Sequence, residues 1–367
     1  MKPSYQGAES KSVAAIKKAI PPSLKRDMLP ESKGMFAELF KNNEVFPRHY
    51  IASTIDGVGT KSIIAELMDK YDTIGIDCVA VNANDLATLG AVNPFLFMDC
   101  ILCQSQILEK AITGEIVKGM SKGLEQCNAS SILRSTININ FGKGETASVD
   151  ELLSSPKHGY SFEAFGSMVG FIQKNKFAKH KIKLGDKIIA LRSSGPHSNG
   201  YTDLRRHLLK GDFETRKEFK KLYKGRFSLD GKFDGSTIGK LLLEPTKIYI
   251  EAMAKISKNF DVAGFNNTGY GLKNLNRAKE KVEFRISKPL KPQPIFGLMQ
   301  KESGFTDGQM YSTFNMGMGF FVVCNKEEAD DILGIAKEAD VVGEVRKSNK
   351  TMTILEKNNK KIVFEGY

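Results

Sequence analysis

Ile55-Asp56-Gly57-Val58-Gly59-Thr60-Lys61-Ser62 puts a carboxylate, two glycines and an ammonium group into one short turn. Gly57 and Gly59 can take positive φ, and their N–H groups can form a nest for phosphate oxygens. Lys61 adds a positive point charge. A carboxylate beside such a nest repels phosphate unless a divalent cation lies between them, so Asp56 argues for a metal-nucleotide complex. The spacing is not that of a Walker A loop, because Thr60 separates Gly59 from Lys61. Taken alone, the stretch is open to two readings, a structural turn and a phosphate site. Tyr50-Ile51-Ala52 before it reads as a strand, and Ile63, Ile64 and Leu67 after it have helical spacing.

Downstream, apolar residues at Ile76, Val79, Ala80, Ala83, Leu86 and Ala87 predict a helix over 72–86 capped by Asp72 or Thr73. Asp77, Asn84 and Asp85 fall near one stripe of it, because seven and eight residues bracket two helical turns. Such a stripe is ordinarily solvated, but after the Asp56 turn its members become candidate magnesium ligands. Residues 95–102 read as a buried strand and 107–126 as an amphipathic helix. The alternating run 136–141 enters Gly142-Lys143-Gly144-Glu145-Thr146-Ala147, where Glu145 supplies another carboxylate on a glycine-backed loop. Residues 165–172 read as a strand, and the cationic stretch 173–181 as a linker. A second glycine-rich loop, Ser193-Ser194-Gly195-Pro196-His197-Ser198-Asn199-Gly200, could hold an anion, and His197 within it is either inert or catalytic. Irregular alternation of strands and helices on both sides of the linker predicts two α+β or mixed α/β domains, 1–172 with an arm over 1–48, and 173–367.

The chain has 367 residues, 41% of them hydrophobic, which is enough for two cores. No apolar run approaches the roughly 18 residues that cross a bilayer, and the start lacks a signal-peptide core, so a cytoplasmic protein without membrane attachment is expected. Five scattered cysteines suit reduced thiols. The net charge of +12 comes from widely spread lysines without aromatic interleaving, which favours attraction for phosphorylated metabolites over nucleic-acid binding.

Several blocks, in order, resemble the aminoimidazole ribonucleotide synthetase (phosphoribosylformylglycinamidine cyclo-ligase) family. They are Asp56-Gly57-Val58-Gly59-Thr60-Lys61, Asp72-Thr73-Ile74-Gly75-Ile76-Asp77, Asn84-Asp85-Leu86, Gly144-Glu145-Thr146-Ala147, Ser194-Gly195-Pro196-His197-Ser198-Asn199-Gly200-Tyr201, Pro245-Thr246, Thr313-Phe314-Asn315-Met316-Gly317 and Val342-Gly343-Glu344-Val345. The resemblance implies a homodimer whose N-terminal domains build an intersubunit β-barrel, each followed by a C-terminal α/β domain, with ATP in a cleft between domains. It implies ATP-dependent phosphorylation of a formyl oxygen, followed by ring closure and loss of phosphate. A diverged paralogue acting on another amide or small-molecule acceptor is the alternative. By position, the resemblance implies catalytic roles for His197, Lys61 and Asp85. It implies Mg2+ on Asp56, Asp72, Asp85 and Glu145, and nucleotide contacts from Gly57, Gly59, Thr60, Lys61, Asp77, Asn84, Thr146, Ser194, Ser198 and Asn199. The chain departs from the family at Asn266-Asn267-Thr268-Gly269-Tyr270-Gly271, where a His-Ile-Thr-Gly-Gly-Gly turn is usual, and at Ser148-Val149-Asp150, where Glu-Met-Pro is usual.

Overall fold

The computed structural model describes residues 27–32, 35–128, 139–177, 180–211 and 217–366. The first 26 residues of the arm expected over 1–48 and the first half of the strand expected over 136–141 lie outside them. Strands β1 (Glu38–Lys41), β2 (His49–Gly57), β3 (Asn93–Cys103), β4 (Asn140–Phe141), β5 (Glu145–Ser148) and β6 (Phe162–Gln173) form one sheet in the order β1-β2-β6-β3-β4, with β5 also on β3. The β1, β2, β6 and β3 pairings are antiparallel, whereas β4 and β5 run parallel to β3. Sequence reading left residues 38–41 in the arm; the structure draws them into this sheet against Tyr50–Ser53.

Along β6, Phe162, Ala164, Gly166, Met168, Gly170 and Ile172 are buried while their odd-numbered neighbours are not, the period-two pattern of a sheet with one covered face. The cover is the Asp72–Ala87 helix, which packs on β2, β3 and β6. Tyr71 precedes that helix without any side-chain cap, so the expected Asp72 or Thr73 cap is absent. A second helix, Ile112–Asn128, crosses it at glycine contacts: a methyl on Gly119 would overlap the Asp72 carbonyl oxygen, and one on Gly75 the Ile116 carbonyl oxygen. The 107–126 pattern is thus realised as two helices, Ser105–Glu109 and Ile112–Asn128, parted at Ala111, where φ is 53°. The sheet's other face carries Ile55, 74% exposed, with Phe95 and Phe165 also exposed.

From Lys187 onward the chain builds a second sheet. Strands β7 (Lys187–Arg192), β10 (Ala263–Asn266), β11 (Val282–Ile286), β12 (Met318–Cys324), β13 (Ala339–Lys347), β14 (Met352–Lys357) and β15 (Lys360–Glu365) run in the order β10-β12-β7-β13-β11-β14-β15; a small hairpin, β8 (Lys232–Phe233) and β9 (Ser236–Thr237), stands apart. Every residue of β12 is buried, as in a strand covered on both faces. The Asp72–Ala87 helix also touches the Ile250–Asn259 helix and β10, so it belongs to both halves of the molecule. Because the helix crossing is backbone on backbone, Gly119→Ala should cost about 1–3 kcal/mol or more by overpacking, read as a lower urea midpoint with an unchanged slope.

Candidate active-site cleft

Lys61 turns inward. Its Nζ lies 2.9 and 2.7 Å from the two carboxylate oxygens of Asp77 and donates to the Glu244 carbonyl at 2.6 Å, with both side chains fully buried. The same Asp77 Oδ1 accepts the Thr246 N–H at 2.7 Å, the Thr246 hydroxyl at 2.6 Å and the Ser198 hydroxyl at 3.2 Å. Asn84, two turns further along the helix, accepts the Tyr249 N–H at 2.8 Å and donates to the Lys247 carbonyl at 2.8 Å. Asp77 and Asn84, expected as magnesium or nucleotide ligands, are therefore clamps on the 244–249 segment of the other half. Lys61 is likewise committed: burial pulls its pKa down, opposed chiefly by the Asp77 charge.

The turn's amides are committed as well. Gly57 N–H donates to its neighbour Asp56 Oδ1 at 2.8 Å, Val58 N–H to the Ala164 carbonyl at 3.1 Å, and Gly59 N–H to Glu163 Oε1 at 2.7 Å. The expected phosphate nest at Gly57 and Gly59 is filled from within the fold, and Glu163 is a carboxylate that sequence reading did not single out. Its only sequence signal is a charged residue placed among the apolar positions of β6.

Asp56 and Asp85 remain together at the cleft. Asp56 reaches the surface at the end of β2, yet the surrounding protein disfavours its charge and raises its pKa, offset in part by the Gly57 N–H. Asp85 accepts the Asn266 amide at 2.8 Å, and burial pushes its carboxyl up to about 7, with the Asp56 charge raising it further and Asn266 and Arg277 opposing. Arg277 lies over the Phe36 ring at 4.1 Å. Beside it opens a mostly apolar cavity of about 400 Å³, bounded by Phe36, Tyr50, Thr88, Phe265 and Arg277 among others. Thr60 is exposed, with its hydroxyl 3.5 Å from that of Thr202 across the cleft, and Asn199 stands partly exposed beside Gly269.

The other expected ligands lie elsewhere. Asp72 begins the helix that Asp85 nearly ends, thirteen residues and roughly 20 Å away, and it is paired with Lys70 and Lys122. Glu145 and Thr146 are exposed on β5, three strand spacings or roughly 14 Å from β2, and Glu145 shares the face of Cys100, opposite to that of Asp99 and Asp56. Neither Asp72 nor Glu145 can share an ion with Asp56 within one chain. Among the described residues no group of three or more His, Cys, Asp or Glu side chains is arranged around a common metal position.

His197 is buried at a left-handed φ of 60°, with Nε2 accepting the Ser194 N–H at 3.4 Å and its ring against Tyr249. Burial, helped by the Lys61 and Lys247 charges, lowers its pKa to about 3. The inward-facing imidazole shapes the loop, its Nε2 turned to the Ser194 N–H. Ser194 donates to the Pro245 carbonyl at 2.6 Å, and Ser198 lies 3.1 Å from the Thr246 hydroxyl. Both expected nucleotide ligands thus fasten their loop to the clamped segment.

Residues 41–157 match the family described as AIR synthase related protein, N-terminal domain, and residues 183–355 match its C-terminal domain. The phosphoribosylformylglycinamidine cyclo-ligase of Methanosarcina acetivorans is 35% identical over 301 residues, 81% of this chain and 79% of that protein. That of Methanocaldococcus jannaschii is 31% identical over 325 residues, 87% of this chain and 83% of its own length. Among solved structures, ThiL complexed with AMPPCP and TMP has a TM-score of 0.56 at 14% identity, covering 96% of this chain and 93% of that one. The hydrogenase maturation protein HypE of E. coli has a TM-score of 0.54 at 14% identity, with 86% and 85% covered. At such identities these two show the shared fold.

Breaking the buried pair strands a charge, so Asp77→Asn should cost about 3–5 kcal/mol, and Lys61→Met with Asp77→Leu should cost less than the sum of the singles, in urea titrations. Asp85 sets a pH dependence. Unfolded it loses its proton near 3.8 and folded near 7, so the folded state holds the extra proton between these values and stability falls as pH rises through that window. Asp85→Asn should therefore flatten the melting temperature between pH 4 and 8, measured without divalent ions.

Proposed function

The chain belongs to the AIR synthase family, and we infer from that membership that it is an ATP-dependent cyclo-ligase of purine biosynthesis. It closes formylglycinamidine ribonucleotide to aminoimidazole ribonucleotide, with release of ADP and phosphate. The observation that carries this reading is the match to cyclo-ligases at 31–36% identity across both sheets, which favours the cyclo-ligase over a diverged paralogue with another acceptor. ATP binding draws further support from fold neighbours described as complexes with ATP or with AMPPCP.

In our reading the nucleotide and the phosphoribosyl substrate meet in the cleft where Asp56, Asp85, Asn266 and Arg277 converge. Two carboxylates without an ammonium partner between them, one held near neutrality by burial, suit a divalent cation. Mg2+ held there would neutralise phosphate charge and leave both carboxylates ionised. The cavity beside Arg277 offers aromatic walls for a planar base, and the Arg277 guanidinium offers charge for an anionic group. Phosphoryl transfer to an amide oxygen needs alignment and charge balance more than a covalent nucleophile. The clamped 244–249 segment and the His197 loop supply that alignment by fixing the cleft's second wall. Thr60, Thr202 and Asn199 would add polar contacts to a ligand at the opening.

We also place a second copy of the chain on the open face of the first sheet, where Ile55, Phe95 and Phe165 are exposed. Among the described residues no helix is long and apolar enough to cross a membrane.

Purified protein given formylglycinamidine ribonucleotide and MgATP should release ADP, phosphate and aminoimidazole ribonucleotide in equal amounts. Asp85→Asn should lower kcat by about 10²–10³, a loss typical of removing one charge-stabilising group, while its melting temperature at assay pH does not fall. Absence of turnover by the wild type would remove the reading.

A further inference from the structure

We infer that Glu163 is a positioning residue for Asp56, holding the Gly57–Gly59 bend from the far face of the sheet and so fixing where the Asp56 carboxylate stands opposite Asp85. The inference rests on the proposed cation site at Asp56 and Asp85.

The geometry is a brace with two arms. Gly57 pairs with Phe165 across the β2-β6 ladder, and Glu163, two residues before Phe165, rises on the same face. Its Oε1 takes the Gly59 N–H at 2.7 Å. Asp56 belongs to the opposite face, in register with Gly166, and its Oδ1 takes the Gly57 N–H at 2.8 Å. One carboxylate thus grips the bend from each side, while Val58 N–H bonds back to the Ala164 carbonyl between them. Gly59 has φ of 72°, a left-handed conformation that a free chain leaves readily and that the Glu163 bond retains. The space at Gly57 is closed by the Phe165 ring 2.7 Å and Glu163 Oε1 3.1 Å from where a Cβ would sit. Glu163 therefore also blocks one direction in which the bend could relax. The charge on Glu163 is disfavoured by burial and by Asp56, and favoured by the surrounding N–H groups of Gly59, Val58 and Ala164. What the bend needs from Glu163 is a hydrogen-bond acceptor at Gly59, which a neutral amide can also supply.

The test titrates Mn2+ alone into the full-length protein by calorimetry, with Asp56→Asn as the reference for loss of the site. Glu163→Ala should weaken Mn2+ binding by about tenfold or more, as removal of groups that orient metal ligands does. Glu163→Gln, whose amide oxygen can accept the same Gly59 N–H, should stay within about twofold of wild type by the same reasoning. Hydrogen exchange at the Gly59 amide should quicken in Glu163→Ala and stay protected in Glu163→Gln. Wild-type Mn2+ affinity in Glu163→Ala overturns the role, as does equal impairment of both variants, which would mean that the carboxylate charge itself is used. If wild type binds Mn2+ no better than Asp56→Asn, the cation site fails and this role with it. If wild type binds and Glu163→Ala is unchanged, this role alone fails.

Discussion

The ion pair of Lys61 and Asp77 is the contact on which the arrangement of the cleft depends. Taking two charges out of water is costly, and the cost is offset only where geometry and additional hydrogen bonds satisfy what the pair leaves over. Here the remaining capacity is met by partners from the other half: Thr246 twice, Ser198 and the Glu244 carbonyl. The pair therefore forms fully only when the 244–249 segment and the 193–200 loop are both in place. A single buried ammonium couples the Asp56 turn to the second domain's wall of the cleft.

That coupling gives the turn three fixed points. Strand β2 fixes its start, the Glu163 bond its middle and Lys61 its end. Between them the N–H groups of Gly57, Val58 and Gly59 are used internally, so the glycines serve the shape of the bend and the approach of neighbouring strands. In the proposed site, phosphate recognition would then fall to side chains and to a cation, which is consistent with a turn that carries Asp56 at its mouth.

Much of this architecture was legible. Apolar patterning located the helix that became Asp72–Ala87 and the strands that became β3 and β6, because each has a buried face long enough to impose its pattern. The glycine turn was read where β2 ends in the structure. Helical spacing also placed Asp77, Asn84 and Asp85 near one stripe, but a period cannot say whether that stripe meets water or another domain. The partners that decide it lie 169, 165 and 181 residues away in sequence. Polar side chains that read as ligands were in two of three cases the glue between halves. Arg277 gave no local signal and Glu163 only a charge among the apolar positions of β6, since their importance comes from what the fold brings beside them. Strand β1 was missed because four residues, Glu38–Lys41, are too few to display an alternation.

The same comparison separates the structural carboxylate Asp77 from those proposed to meet a ligand by the company each keeps. Asp77 has an ammonium group, an amide and two hydroxyls, and its charge is balanced where it sits. Asp85 has the Asn266 amide and a more distant guanidinium, while Asp56 adds repulsion, so its pKa rises to about 7. A protein that needed Asp85 only for packing would gain by giving it a cation or replacing it with an amide. Leaving a carboxyl near neutrality at the mouth of a cleft, beside a second carboxylate and an apolar cavity, is an unfavourable arrangement that a bound divalent cation relieves. The raised pKa of Asp85 is thus matched to the divalent cation proposed for this cleft, and the Lys61–Asp77 pair one helical stretch away holds the cleft's two walls together.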